Sequence, residues 1–440
     1  MNLPLNTSEL IHGKVVEWER LEFKRGWNPV DVLHSICAFA NDFHNLGGGY
    51  VIIGVEEKAG RPVLPPHGIE PGKLDTIQKE ILRLTQNALQ PAYHPIVCPE
   101  EIDGNPILII WVPGGEVRPY KAKVSLGKDA RDWAYFIRKQ SSTVRAKGQD
   151  ETELLSLANK VPFDDRYKQS ASLSDLSKPL IKSFLQTVGS ALAQDVDGLP
   201  IEELGQRMNI AGGPAERIFP KNVGLLFFNE HPETFFPVTQ IDVVWFPEGR
   251  GGDQFTEKEF RGPLNRILAD ALDYIQRKYI DEIVIKHPDR AEATRAHNFP
   301  MAAIEEALAN AIYHRSYEER EPVEVQIDRD EMVILSYPGP DRSVKLADLQ
   351  KGMARPRRYR NRRIGDFLKE LDITEGRGTG IPKILHAMKE NGSPAPVFEF
   401  DEDHSYFMVR LPVHAEAGKR VLPRPPKKGV ESGVESGVES

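Results

Sequence analysis

Cysteine is scarce in this sequence, and long apolar runs are missing. Cys37 and Cys98 are the two cysteines among 440 residues. Two thiols so far apart exclude a disulfide scaffold and a cysteine-based zinc site, and they suit a reducing cytoplasm. No apolar run approaches the roughly 18 residues of a membrane span. The first residues also lack the apolar core of a secretory signal. We therefore expect a cytoplasmic protein without a membrane partner.

Positive charge is also not in excess. The formal net charge is −8, so any contact with nucleic acid must come from a local basic patch rather than from the overall field. A hydrophobic content of 40% and a charged content of 28% are typical of soluble globular proteins. The length predicts two or three domains, each able to bury its own core.

A helix with one polar pair is predicted over residues 301–317. Its apolar residues recur at three- and four-residue spacing, which is the period of an amphipathic helix. Glu306 and Asn310 are four residues apart and therefore share one face. An amide oxygen can bind Mg²⁺, and a carboxylate can orient a water that attacks a γ-phosphate. The alternative is that both side chains belong to an ordinary solvated face.

A glycine-rich segment follows about sixty residues later in the chain. Its glycines alternate with other residues, so the backbone can approach a ligand closely and direct N–H groups at phosphates. The residues after it resume a helical period, and a helix N-terminus favours anions. The candidate ligand-binding residues of this loop are Gly376, Gly378, Thr379 and Gly380.

The order of these parts resembles the Bergerat ATP-binding fold of gyrase, heat-shock chaperones, histidine kinases and mismatch-repair ATPases. A strand-like MVILSYPGP separates the helix from the glycine loop, and the closest resemblance is to the branch found in Schlafen-like bacterial proteins. The resemblance implies that Glu306 supports hydrolysis, that Asn310 holds Mg²⁺, and that the loop closes over ATP. The sequence departs from the superfamily at residues 336–339, where SYPG replaces a DxGxG box.

The N-terminal part has a second ordered series of motifs. LEFK predicts a strand with Leu21 and Phe23 on one face and Glu22 and Lys24 on the other. A helix over residues 31–43, a glycine turn, a strand over residues 50–55 and two acidic residues follow. This order resembles the AlbA-type domain of the Schlafen family over roughly residues 10–150.

The Schlafen resemblance implies a metal-dependent endoribonuclease site. By motif position its metal-binding and catalytic acids are Glu17, Glu22 and Glu57, with Glu56 as an alternative to the last. Three carboxylates can hold Mg²⁺ or Mn²⁺ ions that activate water, and Lys24 can steady the scissile phosphate. Three like charges so close together require a neighbouring cation. The alternative is that these acids lie on the surface of a nucleic-acid-binding module.

A basic tract precedes the glycine loop. Seven of the thirteen residues from 351 to 363 are Lys or Arg, and none is acidic. Such a run is either a solvated face or a phosphate-binding surface. The candidate nucleic-acid-binding residues are Arg357, Arg358, Arg360 and Arg363.

Together these patterns predict a mixed α/β (α+β) protein in four parts. Residues 1–150 form a Schlafen AlbA-type domain, 151–295 a linking α/β module, 296–414 a Bergerat α/β sandwich, and 415–440 a disordered tail. The predicted function is an ATP-controlled, metal-dependent nuclease acting on RNA or DNA, with phage defence as its setting. The alternatives are an ATP-responsive DNA-binding regulator and an ATPase that recruits partners. By analogy with related nucleotide-binding folds, we expect a dimer or higher homo-oligomer.

Overall fold

The structure is a computed structural model of the whole chain. It describes residues 11–12, 19–44, 46–127, 131–158, 161–213, 217–288, 292–354, 359–373 and 380–418. The mixed α/β class expected from the sequence is confirmed, because helices and several sheets alternate along these residues.

The strands of the described residues are short. They are β1 (Leu21–Lys24), β2 (Gly49–Ile53), β3 (Glu57–Lys58), β4 (Arg61–Pro62), β5 (Leu89–Gln90), β6 (Ile96–Ile102), β7 (Asn105–Val112), β8 (Lys121–Lys123), β9 (Trp133–Lys139), β10 (Ser142–Arg145), β11 (Ala211–Gly212), β12 (Phe219–Pro220), β13 (Gln240–Trp245), β14 (Thr256–Arg261), β15 (Glu282–Ile285), β16 (Thr294–His297), β17 (Val323–Ile327), β18 (Glu331–Ser336), β19 (Val397–Glu399) and β20 (Phe407–Pro412).

The helices of the same residues range from one turn to more than four. They are α1 (Pro29–Asn41), α2 (Pro71–Asn87), α3 (Gln149–Ala158), α4 (Lys178–Thr187), α5 (Ile201–Arg207), α6 (Asn222–Phe228), α7 (Leu264–Tyr279), α8 (Met301–His314), α9 (Leu346–Gln350), α10 (Arg362–Glu370), α11 (Gly380–Glu390) and α12 (Ala415–Gly418).

The chain divides into two compact units, each built from several segments. The segments of the first unit are Met1–Pro237, Gly262–Asn265 and Tyr359–Asp372. Those of the second are Val238–Arg261, Arg266–Arg358 and Ile373–Ser440. The boundaries at residues 150, 295 and 414 remain a prediction.

Two four-stranded sheets organise the first unit. One has the order β1-β2-β7-β6, in which β1 and β2 are parallel, and the other has the antiparallel order β10-β9-β8-β5. Helix α1 packs between them, and most of its residues are buried. On β1, Leu21 and Phe23 enter the apolar cluster that also holds Trp111. The strand faces predicted from LEFK are therefore present.

The last residue of α1 ties the helix to the second sheet. The amide nitrogen of Asn41 donates to the carbonyls of Tyr120 and Phe136 at 2.8 Å each, and its oxygen accepts from the N–H of Tyr120 at 2.7 Å. Asn41 is buried, and these bonds satisfy both ends of its side chain. Asn41 therefore has a structural role.

The glycine turn after α1 is imposed by close packing. Gly48 has a φ of +79°, and a Cβ there would lie 2.6 Å from the backbone nitrogen of Gly114. Only glycine combines a positive φ with so close a backbone approach. The turn leads directly into β2, which is fully buried.

The second unit is organised around a six-stranded sheet. Its order is β14-β13-β17-β18-β20-β19, in which β13 and β17 are parallel and the other neighbours antiparallel. Helix α8 packs on β18 and on α11. It confirms the helix predicted from residue 301, because its residues Ile304, Leu308 and Ile312 are fully buried.

Three segments fold differently from what their local sequence patterns predict. The apolar run at residues 223–228 predicts a strand, but it forms α6, which is buried on all sides. A short run of uninterrupted apolar residues has no period that separates a helix from a strand. The helical period over residues 264–284 predicts a helix of that length, but the helix ends at Tyr279 and β15 follows it. The strand-like pattern over residues 134–146 is divided between β9 and β10, because Gln140 turns the chain with a φ of +55°.

A buried carboxylate in the first unit caps α10. Asp164 is fully buried, and its Oδ2 accepts a 2.9 Å hydrogen bond from the N–H of Ile364 in the first helical turn. Within the described residues, its Oδ1 has no hydrogen-bond partner. Burial raises the pKa of Asp164 to about 6, although the backbone N–H groups of Ile364 and Arg363 oppose the shift. The ionised carboxylate is therefore costly at neutral pH.

We expect Asp164→Asn to raise the free energy of unfolding at pH 7.5, by up to about 3 kcal/mol. The amide oxygen can still accept from Ile364, and the buried charge is gone. A folded-state pKa above the unfolded value means that stability declines as pH rises from about 4 to about 6. Denaturant unfolding of both proteins across this range should show a smaller decline in Asp164→Asn than in the wild type. Part of the decline stays in both proteins, because burial also raises the pKa of Asp242 to about 6.

Asp165→Asn is the matched control for this prediction. The Asp165 carboxylate is one-third exposed and pairs with Lys221 at 2.8 Å. We expect that variant to keep the decline in stability between pH 4 and pH 6. Identical pH profiles for Asp164→Asn and the wild type would contradict the assignment of a raised pKa to Asp164.

Candidate functional site

The polar pair on α8 forms a hydrogen-bonded unit. The amide nitrogen of Asn310 donates to Oε1 of Glu306 at 3.2 Å. The Glu306 side chain is 7% exposed, and Asn310 is half-buried. This bond uses the Nδ2 end of Asn310 and leaves its Oδ1 as an acceptor for a ligand. The arrangement matches the one-face placement predicted from the four-residue spacing.

The first residue of α11 lies directly against this pair. A Cβ built on Gly380 would overlap Oε1 of Glu306 and would lie 2.7 Å from Nδ2 of Asn310. No side chain fits there, so glycine at this position is a packing requirement. The structure thus brings together Glu306, Asn310 and the last glycine of the loop. Gly376, Gly378 and Thr379 lie outside the described residues.

One cation at this site was missed in the sequence. Nζ of Lys383, in the first turn of α11, lies 3.9 Å from Oε2 of Glu306. The lysine side chain is 44% exposed, so its ammonium group reaches both the carboxylate and solvent. The helical spacing could have predicted this position, because Lys383 follows Gly380 by three residues and therefore shares its helix face.

The SYPG segment, where the sequence departs from the DxGxG box of the Bergerat superfamily, begins at the last residue of β18. Ser336 is buried, and the N–H of Gly339 donates to the carbonyl of His404 at 2.7 Å. A Cβ on Gly339 would lie 2.8 Å from the carbonyl oxygen of Tyr406. The glycine of SYPG therefore packs against the turn before β20, and the segment has no carboxylate between residues 336 and 339.

In the first unit, both carboxylate oxygens of Glu22 are bound by cations. The side chain is 6% exposed; Oε2 lies 2.8 Å from Nη1 of Arg138, and Oε1 lies 2.7 Å from Nζ of Lys24. The hydroxyl of Thr143 lies 3.3 Å from Oε2. Glu22 and Lys24 are thus together on one face of β1, as the strand period predicts.

Arg138 was not recognised in the sequence, although it is the principal partner of Glu22. It is 4% exposed on β9, donates to the carbonyl of Leu21 at 3.3 Å, and packs its guanidinium over the ring of Phe39 at 5.0 Å. Its position 116 residues after Glu22 gave no local signal. A buried arginine in a run of strand residues could have been noted as requiring an acidic partner.

The other predicted metal ligands make contacts of their own or lie outside the described residues. Glu57 is exposed on β3, where its carboxylate accepts from the N–H of Gly60. Oε2 of its alternative, Glu56, lies 3.7 Å from Arg25. Glu17 lies outside the described residues. Within those that are described, no group of three or more acidic, histidine or cysteine side chains could hold a metal ion. The metal site therefore stays a prediction.

Two of the four candidate arginines of the basic tract lie within the described residues. Arg363 donates to Oδ2 of Asp366 at 2.9 Å and to the carbonyl of Met208 at 3.4 Å, and its guanidinium lies over the ring of Phe367. These contacts stabilise the start of α10. Arg360 is half-buried. Arg357 and Arg358 lie outside the described residues.

Two family models match the chain. Residues 17–147 match the family described as "Schlafen, AlbA_2", which covers the two sheets and α1. Residues 17–147 are thus similar to the Schlafen AlbA_2 domain. Residues 321–411 match the family described as "Putative ATP-dependent DNA helicase recG C-terminal". This second match covers β17 to β19, α11 and most of β20. The predicted pairing of a Schlafen AlbA-type domain with an ATPase-like domain is thereby confirmed.

Two of the solved structures that match this chain do so at low sequence identity and low TM-score. The DIP2311 protein from Corynebacterium diphtheriae is 19% identical, with a TM-score of 0.43; the match covers 90% of this chain and 65% of that one. The N-terminal domain of a RecG-related protein from Nitrosomonas europaea, titled a putative ATP-dependent DNA helicase, is 21% identical. Its TM-score is 0.24, and the match covers 32% of this chain and 92% of that one.

This chain thus spans less than two-thirds of the length of DIP2311. Comparison with curated proteins gives no match. None of the helices in the described part of the chain is both long and apolar enough to cross a membrane.

Proposed function

We propose that the second unit binds ATP with Mg²⁺ and that the bound nucleotide controls a nucleic-acid function of the AlbA_2 domain. The observation that carries the proposal is the contact of Gly380 with Glu306 and Asn310. It joins the helix that follows a glycine-rich loop to a carboxylate and a carboxamide. These are the groups that a nucleotide site with a metal ion uses. The matches to AlbA_2 and to the RecG C-terminal family support the two halves of the proposal.

The residues present fit Mg-ATP in their chemistry. Oδ1 of Asn310 is a hard oxygen ligand, and Mg²⁺ in nucleotide sites typically takes few protein oxygens together with phosphates and water. Glu306, nearly buried, can orient a water toward the γ-phosphate. Lys383 adds a positive charge beside that carboxylate, where phosphate charge would be stabilised. When bound, the metal ion would neutralise phosphate charge.

We expect Asn310→Ala to weaken Mg-ATP binding at least tenfold, which corresponds to about 1.4 kcal/mol. Glu306→Gln should leave the affinity within about threefold and remove hydrolysis, because the amide preserves the shape of the side chain but does not accept a proton. Calorimetric titration with ATP, ADP and GTP, together with phosphate release, measures both effects.

Glu305→Gln is the matched control, because its side chain is exposed on another face of the same helix. It should change neither affinity nor phosphate release. No heat with any of the three nucleotides in the presence of Mg²⁺ would refute the nucleotide site. GTP is included because SYPG lacks the acid that reads the adenine amino group in the superfamily.

A metal-dependent nuclease is the second candidate function, with phage defence as its setting. It is favoured by the placement of Glu22 and Lys24 on one strand face, since a carboxylate and an ammonium group together can serve an attack on phosphate. Metal binding would require Glu22 to exchange Arg138 or Lys24 for the ion. The alternative is an ATP-responsive DNA-binding regulator, in which the Glu22–Arg138 pair only stabilises the domain.

A cleavage assay distinguishes these alternatives. Labelled tRNA, mRNA and single-stranded DNA are incubated with Mg²⁺ or Mn²⁺, with and without ATP. Metal-dependent cleavage that Glu57→Gln abolishes supports the nuclease, because Glu57 is exposed and its substitution leaves the core intact. Binding of the same nucleic acids without cleavage supports the regulator.

A further inference from the structure

Two lysines and two aromatic residues occupy paired positions on neighbouring strands of the second sheet of the first unit. Lys121 and Lys123 alternate along β8, and Trp133 and Tyr135 alternate along β9. In the antiparallel register Lys121 is opposite Tyr135, and Lys123 is opposite Trp133. Directly opposed residues share a sheet face, so all four side chains lie on one face. We call these four residues the lysine–aromatic platform.

The platform is the outer face of the sheet. The residues that alternate with it, Ala122, Ala134 and Phe136, are buried in the apolar cluster beneath. The four platform residues are half-buried, and Tyr135 also packs against a smaller apolar cluster formed by Phe43, Ile137, Ala146 and Leu154. Alternation along both strands therefore separates the apolar inner face from an outer face on which the two lysines and Trp133 lie beside that smaller cluster.

The two lysines of the platform converge on one ring. Their Nζ atoms lie 5.9 Å and 5.7 Å from the centroid of Trp133. Among the described residues, no ion pair involves either lysine, whereas Lys139 at the end of β9 is paired with Asp150 at 2.7 Å. Exposed Asp132 precedes Trp133 and is the nearest acidic residue along β9. The platform therefore carries two positive charges without a paired carboxylate.

Two unpaired ammonium groups beside aromatic rings are complementary to a partner that carries negative charge and flat rings. Lysines two residues apart on a strand are on the order of 7 Å apart, so their like charges repel unless an anion lies between or beside them. An exposed cation–π contact alone is a weak interaction. Phosphates would neutralise the lysines, and unpaired bases would stack on the solvent-facing parts of the half-buried rings, above all on Trp133.

We propose that the lysine–aromatic platform binds single-stranded nucleic acid, with the backbone along the lysines and bases on the rings. The proposal rests on the nucleic-acid function proposed for the AlbA_2 domain and assigns it to a surface separate from the acids Glu22 and Glu57. Stacking tolerates any base, so we expect little sequence preference.

The test is the binding of fluorescent single-stranded RNA and DNA oligonucleotides of equal sequence, followed by anisotropy across a salt series. Lys121→Gln/Lys123→Gln should weaken binding at least tenfold at low salt. It should also reduce the salt slope of log K by about 1.4, because two phosphate contacts are lost. Trp133→Ala should weaken binding tenfold, and Trp133→Phe should restore most of it because a ring remains.

The matched control is Lys73→Gln/Lys79→Gln on α2, which removes two exposed lysines from the same unit. It should change affinity less than about twofold by field effects alone. Equal losses in the control and the platform variants would overturn the proposal, because binding would then depend on charge alone.

Two further measurements separate the possible failures. ATP titration of each platform variant should give wild-type affinity, which shows that the second unit is intact. If wild-type protein binds oligonucleotides and the platform variants bind equally well, the platform is wrong and the proposed function stands. If wild-type protein binds neither RNA nor DNA, the nucleic-acid part of the proposed function fails with it.

Discussion

Glu22→Ala should lower the free energy of unfolding of the first unit by about 3–5 kcal/mol. The substitution leaves the guanidinium of Arg138, 4% exposed, without its carboxylate in the protein interior. Removing one partner of a buried pair costs more than the pair contributes, because the remaining charge is desolvated and uncompensated. Thermal unfolding followed by circular dichroism measures the effect as a large fall in melting temperature.

Glu57→Ala is the matched comparison, since both acids are predicted metal ligands. Glu57 is exposed, so its removal should change stability by less than about 0.5 kcal/mol. The double variant Glu22→Leu/Arg138→Met should be more stable than Glu22→Ala, because neither charge remains buried. A Glu22→Ala protein as stable as the wild type would contradict the structural role of the pair. Loss of activity in Glu22→Ala therefore does not identify a metal ligand without this stability measurement.

Gly380→Ala should weaken nucleotide binding by more than tenfold. The added Cβ would overlap Oε1 of Glu306, so either the start of α11 or the Glu306–Asn310 pair must move. The buried face of α8 holds the pair in place, and Ile384 and Met388 of α11 are buried as well. Overpacking costs about 1–3 kcal/mol, which exceeds the gain of up to about 1 kcal/mol from the better helix propensity of alanine.

Gly251→Ala is the control for this prediction. It is in the same unit, and a Cβ at Gly251 would meet nothing within 4 Å. Its nucleotide affinity should equal that of the wild type in the same calorimetric titration. Wild-type affinity in Gly380→Ala would show that the nucleotide does not depend on the contact between α11 and α8, and the proposed site would have to be placed elsewhere.

The sequence by itself determined the direction of side chains within single elements. The four-residue spacing of Glu306 and Asn310 placed both on one face of α8, and the two-residue period of LEFK placed Glu22 beside Lys24. The two-residue period of KAK and WAY likewise places the two lysines on one face of β8 and the two aromatic residues of the platform on one face of β9. These results follow from the repeat of a helix or a strand, which a short segment specifies without help from the rest of the chain. The hydrophobic period could not distinguish a helix from a strand at α6, because all of its residues are buried.

The tertiary structure alone decided which distant residues meet. Arg138 is 116 residues from Glu22 in the sequence. Asp164 is 200 residues from Ile364, whose N–H donates a hydrogen bond to its Oδ2. Gly380 touches the Glu306–Asn310 pair because two helices pack together. A buried charge or a helix terminus must find a partner, but the local pattern does not say where the partner lies in the chain. Packing of non-local elements selects that partner, and so it determines which acids are ion-paired and which remain available to a ligand.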